Sequence, residues 1–171
     1  MAARMRFAGA FLLASLGVAD VAAAADPKSL GRFRDWQAYT ATEQGATVCY
    51  ALTAPKKSEG DYTNRDPAFV MVTRRPAENV YDDVSAIAGY TYRQGSRPVF
   101  QVGSKSYTAD AVNDVAWPKP RDTRGLVAAM KAGATLQLKG VSSRGTDTRD
   151  EFSLLGFTAA LNAITKSCPK R

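Results

Sequence analysis

From Asp35 onward the chain consists of short segments whose apolar residues recur at every second position, separated by turn residues. A period of two places alternate side chains on opposite faces of an extended backbone, so this pattern builds sheet. In TLQLKG, Leu136 and Leu138 stand opposite Gln137 and Lys139. In TVCYALT, Val48, Tyr50 and Leu52 share one face, and Cys49 and Ala51 the other. VSAIAGYTY puts Val84, Ala86, Ala88, Tyr90 and Tyr92 on one face. FVMVT is apolar without a break from Phe69 to Val72, as expected of a strand covered on both sides. The fold class expected is all-β or mainly β: an antiparallel β-sandwich or barrel with a short inserted helix and a C-terminal helix.

The inserted helix is DTRGLVAAMKAG, with Asp122 or Thr123 as cap, Leu126, Val127 and Met130 on one face, and Gly133 as the stop. The C-terminal helix follows Gly156, where Phe157, Ala160, Leu161, Ile164 and Cys168 recur at helical spacing. Cys168 therefore shares the apolar stripe and points at the body of the domain. Between the strands TLQLKG and EFSLLGF, the segment VSSRGTDTRDEF reads as a hairpin connection with Gly145 as its turn residue.

Residues 1–25 place Arg4 and Arg6 ahead of an apolar stretch from Phe7 to Val18 and end in a run of alanines. That is the layout of a cleaved secretory signal peptide, too short for a permanent transmembrane anchor, with cleavage after Ala24 or Ala25. Arg4, Arg6 and Asp20 leave with it, taking 23 basic and 16 acidic residues to 21 and 15, a net charge of +6. A short linker is expected over 26–32 and a single β domain over 33–171.

Both cysteines, Cys49 and Cys168, fall in the exported part, which makes them a disulfide candidate enclosing most of the domain. The chain has no histidine at all. This removes Ser-His-Asp and Cys-His catalysis and the usual zinc sites, leaving carboxylate pairs, a Ser-Lys pair or an oxygen-ligand cation site.

The carboxylates that could converge are Asp82, Asp83, Asp114, Asp147, Asp150 and Glu151. Adjacent Asp82 and Asp83 point to opposite sides of an extended chain. Asp147, Asp150 and Glu151 lie among Arg144 and Arg149, a mixture that suits a hairpin held by ion pairs and lacks calcium-loop spacing. Ser142 and Ser143 near Lys139 have nothing else to support acyl transfer. Arg74, Arg75, Arg93 and Arg97 are the candidates for a basic contact face. Outside the cytoplasm such a face would meet an anionic envelope component or a host surface protein, not nucleic acid. The polar insertion PKKSEGDYTNRDP and Trp117 in AWPKPRD are further candidate contact surfaces.

FRDWQAY, PAFVMVTRRP, AGYTYRQGS and AAMKAGATLQLKGVSSRGTDTRDEFSLLGFTAALNAITKSC together resemble the invasion-associated locus B family of exported bacterial proteins. The resemblance implies a periplasmic, secreted or outer-surface protein without established enzymatic chemistry, linked in some pathogens to host-cell entry. It implies structural roles for Trp36 and Phe157 as core aromatics, Gly145 and Gly156 as turn positions, and Cys49 with Cys168 as a staple. It supplies no catalytic, cofactor or metal residues. The function expected is that of a non-enzymatic envelope or surface binding module, serving host-cell invasion or the envelope itself, without cofactor. A carboxylate-dependent periplasmic hydrolase is the alternative.

Overall fold

The computed structural model describes residues 26–170, so the expected signal peptide at 1–25 lies outside the described residues. Eleven strands form one antiparallel sheet: β1 Lys28–Phe33, β2 Trp36–Glu43, β3 Ala46–Thr53, β4 Lys57–Glu59, β5 Phe69–Arg75, β6 Val80–Ile87, β7 Val99–Val102, β8 Lys105–Val112, β9 Val115–Pro118, β10 Thr135–Val141 and β11 Asp147–Ser153. Their spatial order is β1-β2-β3-β5-β6-β9-β8-β7-β10-β11-β4. Helix α1, Pro120–Ala132, stands between β9 and β10, and helix α2, Phe157–Ser167, closes the described chain. The sheet folds over on itself in a sandwich-like way. Strand β4 follows β3 in the chain yet pairs with β11, and Lys56 N donates to Glu151 O at 2.7 Å to hold the link.

The core lies between the two ends of this sheet and is sealed by the helices. Strands β2, β3, β5, β6, β8 and β9 present small residues inward, among them Ala38, Ala51, Ala86, Ala109 and Ala116, all buried. Small side chains let helices seat close to the sheet, and α2 packs on β1, β2, β3 and β5 while α1 packs on β6, β7 and β8. The bulk comes from the opposite layer: Phe100, Leu136, Leu138 and Phe152, with Leu126 and Met130 of α1. Trp36 and Phe157 meet at 4.9 Å between ring centroids, and Trp36 Nε1 donates to Ser153 O at 2.9 Å, so the buried indole has its partner. Gly156, at φ 96°, opens α2 where an added Cβ would stand 1.8 Å from Phe33 O; only glycine lets the helix close against β1.

Several expectations need correction. Of the linker expected over 26–32, residues 28–32 belong instead to the edge strand β1, which pairs with β2 and has a bulge between Ser29 and Gly31. The strand read as ending in Tyr92 is β6, which starts at Val80 and stops at Ile87; beyond it Tyr92 only bridges Ser142. Helix α1 is capped by Lys119 with Pro120 in its first turn, ahead of Asp122 and Thr123, because proline already has the helical φ and no N–H to satisfy. The hairpin connection is shorter than VSSRGTDTRDEF, since β11 already begins at Asp147, and EFSLLGF stops being strand at Ser153. FVMVT is covered unequally on its two sides: Val70 and Val72 are fully buried on the inner face, while on the outer face Thr73 is buried and Phe69 and Met71 are only partly so. Trp117 shares that outer face, paired across strands with Asp110.

Candidate functional site

Cys49 and Cys168 form a disulfide with Cα atoms 6.0 Å apart, both fully buried. Arg74 lies beside this staple and is also buried. Its Nη1 donates to Cys168 O at 2.8 Å and Thr165 O at 3.3 Å, neutralising the carbonyl end of α2. Its Nε stands 3.0 Å from Asp82 Oδ1, and its guanidinium lies 5.1 Å from the Tyr81 ring centroid. Asp82 reaches it from a left-handed backbone, φ 56°, in the irregular pairing of β5 and β6. Arg74 is therefore a cap inside the fold and cannot belong to a basic contact face. Arg75 is half-exposed and loosely paired with Glu43 at 3.8 Å and Glu78 at 4.0 Å.

The expected carboxylates are spread over the molecule. Asp82 faces Arg74, Asp83 lies on the outer face of β6, and Asp114 is in the β8–β9 connection. Burial raises the Asp83 carboxyl above its ordinary 3.8, against the opposing pull of Arg75. On β11, Asp150 points inward while Asp147 and Glu151 point outward, four residues and so roughly 13 Å apart along the strand. That exceeds the separation at which glycosidase carboxyls cooperate, roughly 5–9.5 Å. Ser142 Oγ accepts from Thr146 N at 3.1 Å, while Lys139 Nζ donates to Gln101 Oε1 at 2.8 Å on the outer sheet face, so these two do not pair. Among the described residues no three His, Cys, Asp or Glu side chains are placed to hold a metal.

What the fold does bring together is a group of loops around the β10–β11 hairpin. The polar insertion returns over the inward face of β11, where Arg65 grips Asp150 with both guanidinium ends, Nη1–Oδ1 2.7 Å and Nη2–Oδ2 2.5 Å. Arg65 Nε donates to Ala88 O at 2.6 Å, and the guanidinium sits 5.0 Å from the Tyr90 and 5.5 Å from the Tyr62 ring centroid. Tyr90 OH shares a hydrogen with Thr148 Oγ1 at 2.6 Å. Desolvation raises the Tyr90 hydroxyl above its usual range and the deeper Tyr92 hydroxyl further still. Over this buried ion pair lies a cleft of about 580 Å³ between residues 61–66, 89–91 and 142–148.

Beside the cleft, the outward face of the hairpin collects cations. Arg97, Lys139 and Arg149 line a groove of about 530 Å³ with Glu59 and Asp147. Arg149 is held by Glu59 at 3.1 Å, and Glu59, also bonded by Lys57, has its carboxyl lowered. Arg93 lies across the turn, its Nη2 2.7 Å from where a side chain on Gly145 would begin, and Arg144 stands next to that glycine. Arg93, Arg97, Lys139 and Arg144 are exposed and enter no ion pair among the described residues; Asp147 is the one carboxylate of the groove likewise without a partner. Of the four arginines expected to share a face, Arg93 and Arg97 thus lie at this hairpin, joined by Lys139 and Arg144, while Arg74 and Arg75 lie elsewhere.

The family model described as "Invasion associated locus B (IalB) protein" matches residues 36–165. The match runs from the buried Trp36 to the last turn of α2 and so includes the cleft and the groove. No curated protein and no solved structure matches the chain.

Proposed function

The chain belongs to the invasion-associated locus B family, and from that premise we propose that it is a non-enzymatic exported binding module of the envelope or cell surface. Its contact region is the hairpin tip carrying Arg93, Arg97, Lys139 and Arg144, and its partner is an anionic component of the envelope or of a host surface. The observation that carries this is the gathering around one hairpin of four exposed cations that enter no ion pair among the described residues, with Arg97 and Lys139 lining the same groove. Clustered charge raises the local concentration of an anionic partner in a way that dispersed charge does not. The family is not known as enzymatic, and the separated carboxylates favour binding over hydrolysis. No helix among the described residues is long and apolar enough to cross a membrane.

Co-sedimentation of the mature chain with anionic and with neutral envelope vesicles, at low and high salt, tests this reading. Pelleting with the anionic vesicles that weakens as salt rises is the expected result, because screening shortens the reach of exposed charge to roughly 8 Å at physiological ionic strength. Equal binding to both vesicles, or to neither, would reduce the charge to a solubility feature.

A further inference from the structure

We propose that the cleft between residues 61–66 and the 142–146 turn is a saccharide seat, so that the anionic partner is an acidic polysaccharide whose neutral sugar units enter the cleft. This rests on the reading that the hairpin tip binds an anion, and it names that anion's chemical class.

The cleft is built before any ligand arrives. Its walls are joined by Asp66 N to Gly89 O at 3.1 Å, Ser143 N to Thr91 O at 2.8 Å, and Thr146 Oγ1 to Asp61 O at 3.3 Å. Gly89 allows the insertion to lie directly on the backbone, since a Cβ there would stand 2.0 Å from Asp66 O. The Arg65–Asp150 pair fixes the floor. Burying such a pair gives little net stability, and its use is in specifying one arrangement of the insertion over the sheet. A preformed seat spares the ligand the cost of ordering loops.

The lining then selects the ligand. Thr63, Asn64, Thr91 and Ser143 offer hydroxyl and amide groups, Asp61 and Asp66 offer carboxylates and Arg144 a guanidinium, and none of these side chains enters a hydrogen bond or ion pair among the described residues. The charge of Arg65 is taken up by Asp150, so the cleft carries two carboxylates against the single cation of Arg144, and an anion gains nothing by entering. An apolar ligand would strip water from these groups without replacing its hydrogen bonds. A ligand whose hydroxyls both donate and accept satisfies carboxylates, amide and guanidinium together. Tyr62, 37% exposed at the rim, adds a ring for the apolar C–H face of a sugar, and Gly60 beneath it has no side chain to displace it. The volume, about 580 Å³, lies within the range of small-molecule seats. The basic groove next door takes the acidic units of the same polymer.

The test applies the mature, disulfide-intact chain to an array of neutral, uronate-bearing and phosphate-bearing oligosaccharides, followed by calorimetric titration of the tightest one. We expect uronate- or phosphate-bearing oligosaccharides with neutral neighbours to bind best. The double variant N64A/D66A should weaken the titrated sugar at least tenfold while anionic-vesicle pelleting is not weakened, since the loss of one carboxylate only adds to the positive potential of the tip. Both positions are exposed loop residues, and unaltered circular dichroism and thiol content would show the fold intact. Binding of anionic vesicles without binding of any oligosaccharide would overturn the saccharide seat and leave the basic tip standing. Oligosaccharide binding that N64A/D66A does not weaken would also overturn it. Failure of vesicles and array alike would remove the binding reading of the tip as well.

Discussion

Arg65 and Asp150 are 85 positions apart in sequence and meet in one bidentate pair, with side-chain exposures of 7% and 1%. Removing one partner leaves the other buried without compensation, which costs about 3–5 kcal/mol, whereas replacing both with apolar residues of similar volume is close to neutral. Arg65→Ala should accordingly lower the unfolding free energy in urea by that amount, and the double variant R65M/D150L should recover most of it. Equal losses in single and double variants would show that the pair does more than satisfy itself. Asp83 makes a pH-dependent counterpart. Its folded carboxyl is raised above 3.8 by burial, so the folded state binds this proton more tightly than the unfolded chain does. The charged form is a liability at neutral pH, and the penalty fades as pH falls through the raised value and is gone below the unfolded one. Asp83→Asn should therefore stabilise the protein at pH 7, with the difference from wild type shrinking toward zero below pH ~4 in parallel denaturation series. A difference that grew on acidification would contradict the assignment.

Helix α2 is where local pattern and long-range chemistry coincide. Its stripe of Phe157, Ala160, Leu161 and Ile164 is buried, Gly156 gives it room, and Cys168 ties its end to β3. The disulfide spans 119 positions, and a loop of that length contributes at most about 4–5 kcal/mol on the chain-entropy model. The variant C49A/C168A should lose stability up to that amount, and unreduced wild type should give no alkylatable thiol in mass spectrometry. Two reactive thiols in folded protein would refute the staple. This helix was legible because every residue of its stripe serves one apolar face. Strand β11 was only half legible for the opposite reason. Its inward positions are Thr148, Asp150 and Phe152, and the first two are polar because Tyr90 and Arg65 come from distant loops to meet them. A strand whose buried side chains are hydrogen-bonded instead of apolar has the sequence of a turn. Arg74 misled in the same way: nothing local distinguishes a surface arginine from one capping a helix 91 positions later. Edge strand β1 carries a bulge and exposed Lys28 and Arg32, which blunt its alternation and made it read as linker.

Over the whole molecule, the sheet sets several short connections against one another. The insertion at 61–66, the turn after β6 and the β10–β11 hairpin are laced by backbone bonds such as Asp66 N to Gly89 O at 3.1 Å and Arg93 N to Val141 O at 2.9 Å. Net charge alone could not reveal this, because a total of +7 is compatible with any distribution. The account stands or falls on location, so its most direct test compares two variants of equal charge. R93A/R97A/R144A removes three cations from the hairpin tip, and R121A/R124A/K131A removes three exposed cations from α1. Pelleting with anionic envelope vesicles at physiological salt should fall at least tenfold for the first variant and stay within about threefold of wild type for the second, the residue of a long-range effect that salt screens. Equal losses in the two variants would contradict a localised contact face and leave only the total charge.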